Sequence, residues 1–442
     1  MHGCCGNAAR RCLAPPAPGA ERPVRPPKPI PTRRSRSSMD EPTVRVLSGD
    51  DYDEFFSVFT GSFLDDSREA IREPWRAVFE PANAHGVFDG REMIGVAAFF
   101  DSGITLPGQV RTRLAAVTAV GVKPGHRRRG VMRMLMRAQL HGMGESRSHP
   151  VAALHATEGS IYGRFGYGLG TSDVVLSIPR RAPFLRSVEV DQRRVREVGE
   201  QEALRFAHDL YPAVAARRTG WLARGPSWHL RVVDDRSAPK EQGRMRFAVH
   251  PDGYAFYRPE PRWADRGPDY LLHVQELVAA TPQAYAALWR YLLDTDLVGE
   301  VRWQRAAPDE PVVDMLADPR QARRQLSDGL WVRLIHLDRA LSERRYRAPA
   351  DVVLEVGDDF CEWNAGRWRL AAGADGTGGA TRTQAPPDIR LGIGDLAAAY
   401  LGGTTLGQLH RCGRVEELNP GAVAVASGAL DTDHAPHCQE PF

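Results

Sequence analysis

Cysteine is scarce in this chain: there are six in 442 residues, and none of them forms a CxxC pair. Cys4, Cys5 and Cys12 crowd the beginning, while Cys361, Cys412 and Cys438 lie far apart. A disulfide scaffold is excluded, and no His/Cys spacing suits zinc, so no metal is expected. A reduced, cytoplasmic protein is the plain expectation. No apolar run reaches the roughly 18 residues that a membrane-spanning helix needs. The formal charge of +3 is close to balance and gives no footing for nucleic acid or a membrane as partner. Two nucleotide-binding patterns are missing as well, the GxGxxG of dinucleotide sites and the GKS or GKT of phosphate loops.

What is present exceeds one core. A chain of 442 residues predicts two or three domains. Residues 1–38 stand apart: RPVRPPKPIPTRRSRSS is rich in proline and arginine and predicts a disordered basic tail. The stretch lacks the apolar core of a signal peptide, and Met39 suits an alternative start. A nucleic-acid reading would rest on residues 22–36 alone.

The chemistry begins at HRRRGVMRMLMRAQL, residues 126–140. From Val131 the apolar residues cover a wide helical face, and Arg133 and Arg137 share the narrow polar one. Such a helix packs on a sheet. Its N-terminus therefore carries Gly130 and three arginines, where bare backbone N–H groups and the positive end of the dipole point. Cations at that end are unfavourable without an anion, so the arrangement suits a phosphate. A charge run by itself is more often a solvated turn. The preceding AVTAVGV (116–122) reads as a strand buried on both faces, ended by Pro124. Strand, basic glycine loop and helix together fit a nucleotide cofactor.

That loop resembles the acetyl-CoA signature of the GNAT N-acetyltransferases, Arg/Gln-x-x-Gly-x-Gly/Ala. Arg127 and Gly130 fit it, and Met132 departs from it at the last position. With PVAALHATEGSIYGRFGYG (150–168), the chain from about Met39 onward resembles the Eis family of acetyltransferases. The resemblance implies a mixed α/β (α+β) fold of tandem GNAT domains followed by a sterol-carrier-protein-like domain. The expected divisions are a catalytic GNAT domain over 39–181, a degenerate second one over 182–307, and the sterol-carrier-like domain over 308–442. The strand SDVVLSI (172–178) is expected in the first domain and LWVRLIHLDRALSERRY (330–346) in the third. A helix is expected near residue 159, and the glycine-rich stretch 371–387 is expected to be a mobile loop.

The resemblance also implies residue roles. Val120, Val122, Arg127, Arg128, Gly130, Val131, Thr157 and Ile161 would bind acetyl-CoA, with Arg129 beside them. Tyr162 would be the general acid; without the family it reads as a core aromatic. A phenol stays protonated at neutral pH and can donate to a departing thiolate. The base would be the C-terminal carboxylate of Phe442, with Glu440 and His437 as neighbouring alternatives. Asp65, Trp75 and Asp328 would receive the amine; as plain sequence, each acid is as readily a solvated surface group. His155 reads as a hydrogen-bonded structural histidine, and no serine or cysteine triad accompanies it, which favours direct transfer. The expected substrates are primary amines of polycationic small molecules, aminoglycoside-like, or lysine side chains. The expected assembly is a homo-oligomer, a hexamer. The competing reading is an inactive GNAT-like binding protein whose third domain holds a lipid or a protein.

Overall fold

The computed structural model describes residues 41–64, 66–225, 228, 234 and 238–442. The tail 1–38 and Asp65 lie outside the described residues.

The first stretch carries β1 (Thr43–Val46), α1 (Tyr52–Phe63), α2 (Arg72–Val78), β2 (Ala84–Asp89), β3 (Glu92–Leu106), β4 (Val110–Val122), α3 (Val131–Ser146), β5 (Val151–His155) and β6 (Gly168–Leu169). Phe55, Phe56, Val58 and Phe59 of α1 are buried. The β2–β3 hairpin turns at Asp89-Gly90, where Gly90 takes φ 63°. Helix α3 buries Val131, Leu135, Met136, Leu140 and Met143 on one face, leaving Arg133 and Arg137 exposed. It lies so close to β3 that a Cβ on Gly95 would stand 2.6 Å from Val131 Cγ1.

The chain continues through β7 (Ser172–Pro179), β8 (Arg196–Val198), α4 (Glu200–Ala215), β9 (Arg246–His250), β10 (Gly253–Glu260), the ribbon β11 (Trp263–Ala264) and β12 (Gly267–Pro268), β13 (Tyr270–Ala279), α5 (Pro282–Asp294), β14 (Val298–Ala306), β15 (Arg323–Asp328) and β16 (Leu330–Leu334). Two seven-stranded sheets result. The first is ordered β1-β2-β3-β4-β5-β16-β6 and the second β15-β7-β14-β13-β10-β9-β8.

Two strands therefore cross the divisions expected from sequence. β7, expected in the first domain, lies between β15 and β14 of the second sheet. β16, expected in the third, pairs antiparallel with β5 from Leu330–His155 to Leu334–Val151. Burial places β7: Val174, Leu176 and Ile178 join the apolar core of the second sheet, whereas Leu330, Val332 and Leu334 lie in a core that β5 shares with the third domain. An alternating strand pattern specifies a buried face but not whose core it meets.

The third domain is a five-stranded sheet in the order β19-β18-β17-β20-β21. Its strands are β17 (Ala350–Gly357), β18 (Gly366–Ala372), β19 (Gly378–Arg382), β20 (Ile389–Gly392) and β21 (Val415–Glu417). The stretch 371–387, expected as a loose loop, contains a hairpin. Asp375 Oδ1 accepts Thr377 N at 3.0 Å in its turn, Gly376 takes φ 76°, and β19 pairs along β18. The helix expected near residue 159 is a short 3-10 turn, Tyr162–Phe165. Gly159, Gly163 and Gly166 around it make a longer helix costly.

Two features of the first sheet shape the site. The β3–β4 register shifts between Val96 and Ala98, and Ala119 bulges out of β4 with φ 51°. The parallel β4–β5 ladder holds only Leu114–Val151 to Ala116–Ala153. Beyond it, among the described residues, the end of β4 has no ladder on that side, while β16 follows the opposite edge of β5 along its whole length. Replacing Gly95 by Ala should push α3 off this sheet. We expect a stability loss of about 1–3 kcal/mol, read by denaturant melts, together with weaker acetyl-CoA binding.

Candidate active site

The loop before α3 contains two left-handed residues, Arg128 (φ 61°) and Gly130 (φ 85°). Gly130 is the N-cap of α3, and no side chain caps the helix. A Cβ built on Gly130 would meet nothing within 4 Å, so the backbone there is open. Arg127 Nη2 donates to Ser62 O at 3.0 Å and Arg129 pairs with Asp89 at 3.1 Å, so both tie the loop to neighbouring elements. Arg128 is exposed at the open face. Helix α5 of the second half is a useful contrast. Its N-cap Thr281 accepts Ala284 N at 3.2 Å, so that terminus satisfies itself. Bare amides, arginines and an unladdered strand edge suit a phosphate-bearing, amide-bearing cofactor in the first half.

Val120 and Val122 lie on that edge, half-buried against the core that includes Val131. Thr157 is exposed just after β5, and Ile161 leads into the Tyr162 turn. Tyr162 is 8% exposed, and its ring meets Tyr167 edge-on at 5.7 Å. Burial, helped by Glu158, pushes its phenol up to about 12. It is a proton donor throughout the neutral range.

The C-terminal segment is seated rather than frayed. His437 N donates to Thr219 O at 3.0 Å, and His437 Nε2 donates to Arg305 O at 3.0 Å. Gly220, φ 93°, makes room: a Cβ there would stand 2.5 Å from His437 O. His155 Nε2 donates to Glu440 O at 3.2 Å, and the Phe442 ring lies 4.9 Å from the His155 ring. Phe442 is itself buried. His155 is thus a hydrogen-bonded structural histidine, as expected. The two alternative bases fare differently. Burial lowers His437 to about 3, and its Nε2–H already faces a carbonyl. Burial pushes the Glu440 carboxyl up to about 8; Arg224 opposes this and Glu276 adds to it. Glu440 is therefore mostly protonated at neutral pH.

Asp328 Oδ2 accepts Trp331 Nε1 at 2.9 Å. It lines a cavity of about 410 Å³ with His155, Asp173, Arg305 and Ser327. Asp173 and Arg305 were not singled out in the sequence. Burial pushes the Asp173 carboxyl up to about 7; Arg305 opposes this and Asp328 adds to it. The available signal was an acid inside the otherwise apolar strand SDVVLSI. Trp75 is 2% exposed, packed 5.4 Å from Phe59 and 5.8 Å from Phe100. Elsewhere, Asp191, His250 and Asp252 form a metal-like cluster among the described residues. Arg193 bridges both acids there, and His250 Nδ1 accepts Asp252 N at 3.1 Å, so its Nε2 carries the hydrogen and is not a ligand.

A bulged β4, an opened β4–β5 edge and an uncapped basic helix start define an acetyltransferase of the GNAT class. Residues 43–170 match the family described as acetyltransferase (GNAT) domain, residues 220–339 match a second of that description, and residues 337–439 match sterol carrier protein domain. An N-acetyltransferase of Streptomyces avermitilis is 38% identical over 411 residues, 90% of this chain and 99% of that one. The N-acetyltransferase Eis of Mycobacterium tuberculosis is 34% identical over 376 residues, 80% of this chain and 88% of that one. The crystal structure of Eis1 from Mycobacterium abscessus superposes with a TM-score of 0.80 at 32% identity, over 91% of this chain and all of that one. The chain belongs to the Eis family of GNAT N-acetyltransferases. GNAT acetyltransferases take their acetyl group from acetyl-CoA. No helix among the described residues is long and apolar enough to cross a membrane.

The raised Glu440 carboxyl has a thermodynamic consequence. Between its ordinary pKa and about 8, the folded chain holds a proton that the unfolded chain releases, so stability falls as pH rises through that window. Glu440→Gln should flatten this decline. Thermal melts at pH 5 and pH 8 should show the variant gaining several degrees over the native chain at pH 8 and little at pH 5.

Proposed function

We propose that this enzyme transfers acetyl directly from acetyl-CoA to a primary amine, on a polycationic small molecule of the aminoglycoside kind or on a lysine side chain. The supporting observation is the seat of the C-terminus: Phe442 packs on His155 at the end of β5, just before the turn that carries Tyr162. An acid and a base are thereby offered beside the opened strand edge.

In this reading Arg127, Arg128, Arg129, Gly130 and Val131 hold the cofactor's phosphates. Thr157 and Ile161 flank its arm. Val120 and Val122 direct backbone N–H groups at the thioester carbonyl, an oxyanion-type stabilisation. Acetyl-CoA, when bound, supplies the acetyl group as a thioester. The Phe442 carboxylate takes the proton that the incoming ammonium must lose. Tyr162 gives its hydroxyl proton to the departing sulfur. Asp328, facing the cavity with Asp173, attracts cationic parts of the acceptor, a role that family resemblance extends to Asp65. Trp75 backs the acceptor cleft from its aromatic cluster. No metal takes part. The working form is a cytoplasmic hexamer, which light scattering of the purified chain would test. The lipid- or protein-binding alternative is not favoured, because Tyr162 and the arginine–glycine loop are both intact.

The decisive assay follows CoA release with a panel of amines. Tyr162→Phe should lower kcat by about 10²–10⁴-fold, the usual contribution of a general acid, with acetyl-CoA affinity kept. A few residues added after Phe442 should lower kcat in the same way. Equal rates in the extended and native chains would remove Phe442 from the mechanism.

A further inference from the structure

The third domain sends one short segment, residues 358–364, into the first. Asp358 follows β17 and is 4% exposed. It receives Arg333 Nη2 at 2.9 and 2.7 Å, an ion pair buried on both sides. It also accepts Phe360 N at 3.2 Å, Cys361 N at 2.9 Å and Asn364 Nδ2 at 3.1 Å, so the segment is wound around this carboxylate. Arg333 lies on β16, beside β5. Its Nη1 reaches Gly166 O at 3.4 Å, and a Cβ on Gly166 would stand 2.2 Å from that nitrogen. Gly166 ends the turn that carries Tyr162. The guanidinium is therefore pressed against the base of that turn.

Phe360 completes the contact. Its ring meets Phe165 of the same turn at 5.1 Å and His141 of α3 at 5.8 Å, both edge-on. His141 Nε2 donates to Phe360 O at 2.9 Å, and Arg133 of α3 lies 5.6 Å from the ring. One residue is thus wedged between the Tyr162 turn and the helix that begins at the arginine–glycine loop. Trp363 adds to this: a Cβ on Gly144 of α3 would stand 2.5 Å from its Cζ2.

A buried ion pair is weak evidence of stabilisation, because well-packed apolar residues often do as well. What it supplies here is fixed geometry. We infer that Phe360 and Arg333, held by Asp358, are positioning residues for acetyl transfer: they fix the Tyr162 turn relative to the cofactor-loop helix. The sterol-carrier-like domain is then a working part of the acetyl-transfer centre. This rests on Tyr162 acting as the acid.

The test is a double-mutant cycle on the full chain, with Phe360→Leu, Tyr162→Phe and the two combined, reading kcat, the acceptor KM and thermal melts. Displacing a catalytic group by about 1 Å costs on the order of 100-fold. Phe360→Leu should therefore lower kcat by about 10–100-fold with acceptor KM little changed, and should cost almost nothing more once Tyr162 is Phe. Arg333→Lys keeps the charge for Asp358 and loses the second donor; it should repeat the pattern more mildly, and it carries the cycle if Phe360→Leu does not fold. Losses that persist in full beside Tyr162→Phe, or that merely follow the folded fraction, would overturn the inference and leave the acid in place. A Tyr162→Phe enzyme with native kcat would overturn both.

Discussion

Three residue pairs join β4 to β5, and the site depends on where that ladder stops. Buried backbone N–H and C=O groups must find partners. Past Ala116, β4 bulges at Ala119 and its ladder with β5 stops, so the end of β4 keeps an unladdered edge on that side. The helix start beyond that strand repeats the same logic. Gly130 offers no side chain to cap α3, and its amides stay available, whereas Thr281 closes the equivalent position of α5. One half of a doubled architecture keeps its bare polar groups and the other satisfies them internally. That contrast gives a physical basis for assigning catalysis to the first half.

The three domains share elements as well as surfaces. β7 sits in the second sheet and β16 in the first, and the C-terminal segment runs from the third domain past Thr219 and Arg305 to His155. The contacts of residues 358–364 reinforce the same join from the other side. The Tyr162 turn and helix α3 are therefore both contacted by residues of the third domain.

Much of this was legible beforehand, and for local reasons. The stripe of Val131, Leu135, Met136 and Leu140, the aromatic face of α1 and the Asp89-Gly90 turn follow from periodicity and turn chemistry within a few residues. Tyr162 was legible only through resemblance, since its periodicity alone reads as core, and it is in fact 8% exposed. In the stretch 371–387 the glycines read in sequence as freedom. In the folded chain they allow the close approach of β19 to β18. Asp173 is marked in sequence only as an acid within a mainly apolar strand, and Arg305 by nothing, because the cavity they line is formed by separate strands.

The sequence by itself determined most of the elements, the phosphate-suited loop and the family, since each is written in residues close enough to be read together. Only the tertiary structure decided which sheet took β7 and β16, that Glu440 keeps its proton, and that Arg333 pairs with Asp358 beneath the Tyr162 turn. The physical reason is that burial and charge pairing are set by segments far apart in the chain: 167 positions separate Arg333 from Gly166, and 285 separate Glu440 from His155.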